Sequence, residues 1–107
     1  MSVKVCGYLV NEEAVLQHGI QMGLGTDGDM YTRSDTMCDS FIDIMGRAGL
    51  LGHARWVGVM VKGELRRCIA LGNNDPYDYL PMPSREKIDQ LKKVLHIEKE
   101  PRWYIYA

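Results

Sequence analysis

No stretch of this chain stays apolar for the roughly 20 residues that a membrane-spanning helix needs. Its N-terminus, Met1-Ser2-Val3-Lys4-Val5, lacks the apolar run and cleavage site of a signal peptide. Cysteine is scarce: Cys6, Cys38 and Cys68 are an odd set with no close pair. That argues against a secreted disulfide framework and leads us to expect reduced thiols in a cytoplasmic setting, away from membranes. Charge of one sign is lacking too, since 13 Lys and Arg face 14 Asp and Glu, a net charge of −1. A chain so balanced has no general pull toward nucleic acid. Neither an internal repeat nor a low-complexity segment is present.

What is present is ordinary globular composition. The 107 residues are 46% hydrophobic and 25% charged, which suits a single α+β domain, residues 1–107, with a core that needs no staple. Charge is unevenly spread. Residues 1–53 hold Lys4, Arg33 and Arg47 against Glu12, Glu13, Asp27, Asp29, Asp35, Asp39 and Asp43, and most Lys and Arg follow later. Such asymmetry fits partner contacts and equally fits solvated faces of opposite sign.

Local patterns predict seven elements. Val3 to Val10 alternates as a strand with useful residues on both faces. Asn11 is a helix cap ahead of Glu12 and Glu13, and Val15, Leu16, Ile20 and Met22 form that helix's apolar side. Glycines at 23 and 25 end it, and a loop to Arg33 follows. Ser34 is the predicted cap of a second helix, with Met37, Phe41, Ile44, Met45 and Ala48 on one face and Asp35, Asp39 and Asp43 opposite. Residues 54–61 and 64–71 read as a hairpin turning at Lys62-Gly63. A loop from Asn73 to Pro83 carries three prolines, and Ser84 caps a third helix striped by Ile88, Leu91, Val94 and Leu95. Arg102 to Ala107 is a last strand. With two helices in the first crossover, this order is βαββαβ. It predicts a ferredoxin-like sandwich: an antiparallel four-stranded sheet, its first strand flanked by the third and the last, with helices on one face.

No motif names a reaction. Gly23-Leu24-Gly25-Thr26-Asp27-Gly28 has G-x-G-x-x-G spacing, but a dinucleotide site needs a strand before the glycines and a helix opening on them. Here a helix precedes them, so Gly25, Asp27 and Asp29 are candidates only for a mobile binding loop. Asp35, Asp39 and Asp43 recur every four residues as a solvated stripe would, and their spacing with Asp27 and Asp29 fits no EF-hand. His18, His53 and His96 are scattered, without H-x-x-x-H or C-x-x-C. We expect no metal, no cofactor and no catalytic residue, and leave open whether the chain is an enzyme.

The hairpin is the most informative feature. A two-residue turn pairs Val61 with Glu64, Val59 with Arg66 and Val57 with Cys68. Both faces of the sheet are then too apolar for either to be simply wet. A two-fold partner, a small ligand held against the 73–83 loop, or an internal cover by loop and helices would each resolve this. The sequence favours the partner, hence a non-catalytic homodimer that binds a protein partner or a small molecule. Its candidate surface is Tyr8, Val57, Val59, Arg66, Tyr77, Tyr79, Tyr104 and Tyr106. Two other classes compete. One is a small enzyme using the acidic glycine-rich loop, with or without a metal. The other is a single-stranded nucleic-acid binder with Tyr8, Tyr104, Tyr106, Arg66 and Arg102 as its platform. The signature of RNA-binding sheets is missing, so nucleic acid is not the expected partner.

Overall fold

The computed structural model describes residues 2–107. Seven elements follow one another: β1 (Lys4–Leu9), α1 (Glu12–Gln21), α2 (Met30–Ala48), β2 (Arg55–Val61), β3 (Glu64–Asn73), α3 (Arg85–Leu95) and β4 (Arg102–Tyr106). Three helices and four antiparallel strands make an α+β fold. No helix among the described residues is long and apolar enough to cross a membrane.

Two helix caps sit where side-chain chemistry places them. The Asn11 side chain accepts the Ala14 amide and the Ser84 side chain accepts the Lys87 amide, each meeting one orphan donor of a first turn. The second helix differs from expectation. It begins at Met30, a turn before Ser34, because Asp29 takes the Thr32 amide at 2.8 Å and caps it first. Gly49 closes that helix in the left-handed conformation, φ 71°.

The hairpin has the predicted register, with Val61 opposite Glu64, Val59 opposite Arg66 and Val57 opposite Cys68. Lys62 and Gly63 both take positive φ, 51° and 79°, the primed turn whose twist matches that of the flanking strands. β1 pairs with β3 on one side and β4 on the other.

The sheet departs from an open sandwich at its outer strands. β2 also pairs with β4, Val59 opposite Tyr106 and Met60 opposite Ile105, and the sheet closes as β1-β3-β2-β4. An open ferredoxin-like sandwich would leave β2 and β4 as edges, so that arrangement is not the one observed. Two local features favour the curl. The β1–β3 register slips between Cys6 and Gly7, leaving Leu71 without a partner, and such a bulge sharpens twist and bend. At Gly7 a Cβ would run into the Ile69 carbonyl oxygen, so the absence of a side chain allows the strands to approach there.

Closure accounts for the two apolar faces. The outer one takes the helices: Tyr8, Val10, Ile69 and Leu71 pack with Val15, Ile44, Met45, Ala48, Ile88 and Leu91. The inner one forms a second core of Val5, Val59, Cys68 and Ala70, flanked by Leu9, Val57, Val61 and Tyr104. The face assigned to a partner is therefore covered by the sheet itself. That removes the reason for seeking a second subunit there.

Candidate functional site

α1 and α3 both flank α2, and a cleft of about 1030 Å³ lies between α1 and the end of α3. That is at the upper end of the roughly 300–1000 Å³ usual for small-molecule sites. Its floor comes from the end of β1 (Tyr8, Leu9, Val10), with Val15 of α1 and Ile44 of α2. One wall is α1, through Asn11, Ala14, His18, Gln21 and Met22. The other is the last turn of α3 and the chain beyond it, Lys93 to Ile97 and Lys99. His96 ends α3 with φ 57°, which turns the chain sharply out of the helix.

The charged side chains lining the cleft are Arg47, Lys93 and Lys99, with His18 and His96 beside them and no Asp or Glu. Acids nearby are already engaged. Asp43 Oδ2 lies 2.7 Å from His18 Nε2 and accepts from Arg47 Nε at 2.8 Å. These two bonds, His18 first, hold the Asp43 carboxyl below its ordinary range. Glu100 takes Arg85 and Lys92 and falls to about 2 for that reason. Arg47 Nη2 leans on Met22 Sδ at 3.4 Å, while its Nη1 bonds to nothing among the described residues. Lys93 and Lys99 form no ion pair among them. The Tyr8 hydroxyl donates to the Lys99 carbonyl oxygen at 2.8 Å, fixing that wall to β1. Burial pushes the phenol up to about 12, so it stays a neutral donor at any ordinary pH.

The predicted site residues fall into separate groups: Val57, Val59, Arg66, Tyr104 and Tyr106 meet on the inner side of the barrel, and Tyr8, Tyr77 and Tyr79 lie apart from them. Tyr8 is buried under the helices, at the cleft floor. Val59 is fully buried inside the barrel, with Val57 and Tyr104 around it. Arg66 is exposed on β3. Tyr8 thus lies on the opposite face of the sheet from Tyr104, which sits near Arg66 and Arg102. Tyr106 and Val57 do meet the long loop, around a cavity of about 170 Å³ at the barrel mouth that includes Asp75, Asp78 and Leu80. That volume is too small for a drug-sized ligand.

The loop itself covers less than expected. Only Asn73 and Leu80 are buried, and Tyr77 and Tyr79 are 97% and 66% exposed. Asn73 organises it from within: its Oδ1 accepts the amides of Asp75 and Leu80, and its Nδ2 donates to the Asp78 carbonyl. Arg55 braces Asp78 with both terminal nitrogens.

The glycine-rich loop joins α1 to α2 and so lacks the strand a dinucleotide site requires. It is pinned rather than lid-like. Thr36 Oγ1 donates to the Thr26 carbonyl at 2.9 Å, Gly25 packs on the Thr36 side chain, and Asp27 pairs with Arg33. Asp29 is spent on its cap, and its carboxyl is lowered by the Thr32 amide. Asp43 likewise belongs to an ion-pair cluster, not to a merely solvated stripe. Among the described residues no three His, Cys, Asp or Glu side chains converge as a metal site would. Burial raises the thiols of Cys6 and Cys68, the latter to about 12.

The cleft residues His18, Arg47, Lys93, His96 and Lys99 escaped the sequence reading. They come from four parts of the chain, with no spacing that links them. Comparison of the chain with protein-family models, curated proteins and solved structures found no match.

Proposed function

We propose that the protein is a small-molecule-binding module and that the cleft between α1 and α3 receives the apolar body of its ligand. One observation carries this reading: about 1030 Å³ of open space with an apolar floor, walled by α1 and the end of α3. The neutral dye Nile red tests it. Its emission should rise and shift to the blue with the intact protein. Ala14→Trp should abolish the change, because Ala14 is exposed and lines the cleft. No response from the intact protein would remove the reading.

A second reading, a homo-oligomer, draws support from the outer barrel wall away from the helices. Met60 lies opposite both Leu65 and Ile105, and Trp103 follows two residues along β4. All four are exposed, Ile105 and Trp103 by about half. An apolar run of this kind favours association. Sedimentation of the intact protein and of Ile105→Glu tests it, and a monomer in both would end it. The cyclic order β4-β1-β3-β2 also supports reading the barrel as a ferredoxin-like sheet whose outer strands have met.

A further inference from the structure

Resting on the cleft as a ligand site, we propose that its occupant is a single-chain anionic amphiphile, a long-chain carboxylate, with its tail on the floor and its head among Arg47, Lys93 and Lys99. The lining has two chemistries. Val10, Val15, Ile44, Leu95 and Ile97 offer surface that only an apolar body satisfies. Around them stand three cationic side chains and two histidines, without a carboxylate, in a chain whose acids outnumber its Lys and Arg. A neutral ligand would leave those cations unused, and a cationic one would be repelled.

The nearest acids do not cancel the rim. Glu100 is held by Arg85 and Lys92, which offset the charge it presents to the Tyr8 hydroxyl. Asp43 is shared between His18 and Arg47 and occupies only the Nε edge of that guanidinium. Its Nη1 donors remain for an anionic head such as a carboxylate. Lys93 and Lys99 add point charges from the opposite wall. The rim is therefore built from α2 on one side and the α3 end on the other, so an anionic head would lie between them. The bond from Tyr8 to its carbonyl oxygen fixes the backbone that carries Lys99 at this wall.

Displacement of Nile red by three probes of equal chain length tests the proposal: myristate, myristyl alcohol and tetradecylamine, each below the concentration at which it forms micelles. Myristate should displace the dye about tenfold more tightly than the alcohol, the worth of one charge-assisted hydrogen bond, and the amine should be weakest. The preference should shrink as salt is raised. In Lys93→Glu/Lys99→Glu, both exposed positions that leave the core untouched, the order of acid and amine should reverse. Equal displacement by acid and alcohol, with dye binding intact, would overturn the anionic class and leave the cleft reading standing. An unchanged acid preference in the double variant would overturn the assigned rim. Absence of dye and probe binding together would remove both readings.

Discussion

The phenolic hydroxyl of Tyr8 donates to the carbonyl oxygen of Lys99 across 91 positions of sequence, at 2.8 Å. It joins the first strand to the segment leading into the last, where α3 has ended and β4 has not begun. Tyr8→Phe keeps the ring in the core and removes only this donor. The loss should be about 1 kcal/mol, as for one hydrogen bond whose acceptor can still reach water. Urea unfolding of both proteins measures it through the shift in midpoint at unchanged slope. Full retention of stability would mean that the Lys99 carbonyl is equally well served by solvent.

Acid should weaken the same region in a defined order. Glu100 is drawn from its ordinary 4.5 to about 2 by Arg85 and Lys92. A carboxyl whose folded value lies below its unfolded value gives its full stability above the unfolded one, and loses it as pH falls through the folded one. The contribution of Glu100 should therefore be complete above about pH 4.5 and gone by about pH 2. Asp43, lowered from 3.8 by His18 and Arg47, should likewise lose its contribution as the pH falls below 3.8. Melting temperatures of the unmodified protein and of Glu100→Gln, followed from pH 7 downward, should differ near neutrality and converge at the acid end. A constant difference would show that the pair does not report the titration of Glu100.

Much of the fold is legible in the sequence because it is encoded over short distances. Asn11 and Ser84 are good caps wherever they occur, and Lys62-Gly63 sets a hairpin register with no help from the rest of the chain. The second helix shows the limit of such rules. Asp29 and Ser34 are both competent caps, and the apolar face beginning at Met37 does not choose between them. The choice falls on Asp29 because the preceding loop is drawn onto the helix by Thr36, which holds the Thr26 carbonyl. Closure of the barrel is less legible still. Alternation reveals that Val57 and Val59 are to be buried. What buries them depends on twist, on the slip between Cys6 and Gly7, and on the meeting of β2 with β4. The cleft is a gap between helices, and a gap has no residues of its own to form a pattern.

Val59 separates an internal cover from an external one. It is wholly buried in the barrel, opposite Arg66 on one side and Tyr106 on the other. A carboxylate placed there would lose its hydration inside the barrel with only the cross-strand Arg66 to face it, a cost that this small core cannot absorb. Val59→Glu should unfold the chain at low and high protein concentration alike, as circular dichroism would show. A variant that stayed folded and changed only its sedimentation would mean that Val59 faces a second subunit after all.

The last strand is what makes the sheet a barrel, and removing it gives the most direct test of closure. β4 pairs with β1 through Lys4 to Gly7 and with β2 through Val59 and Met60, and the Ala107 amide bonds to the Gly58 carbonyl. Without residues 103–107, the unpaired backbone of β1 and β2 would become two sheet edges, and the inner core would face solvent. Cys68 reports on that core. It is fully buried and its thiol is pushed up to about 12, so a thiol reagent at neutral pH should reach exposed Cys38 long before Cys68. In the shortened chain Cys68 should react on the same timescale as Cys38, and the protein should associate through its new edges. The Cys6→Ser/Cys38→Ser background isolates the signal, since Cys6 lies opposite Trp103 of the deleted strand. If Cys68 stays protected after the deletion, the β2–β4 seam is not what shields the inner face, and its cover must come from the 74–84 loop instead.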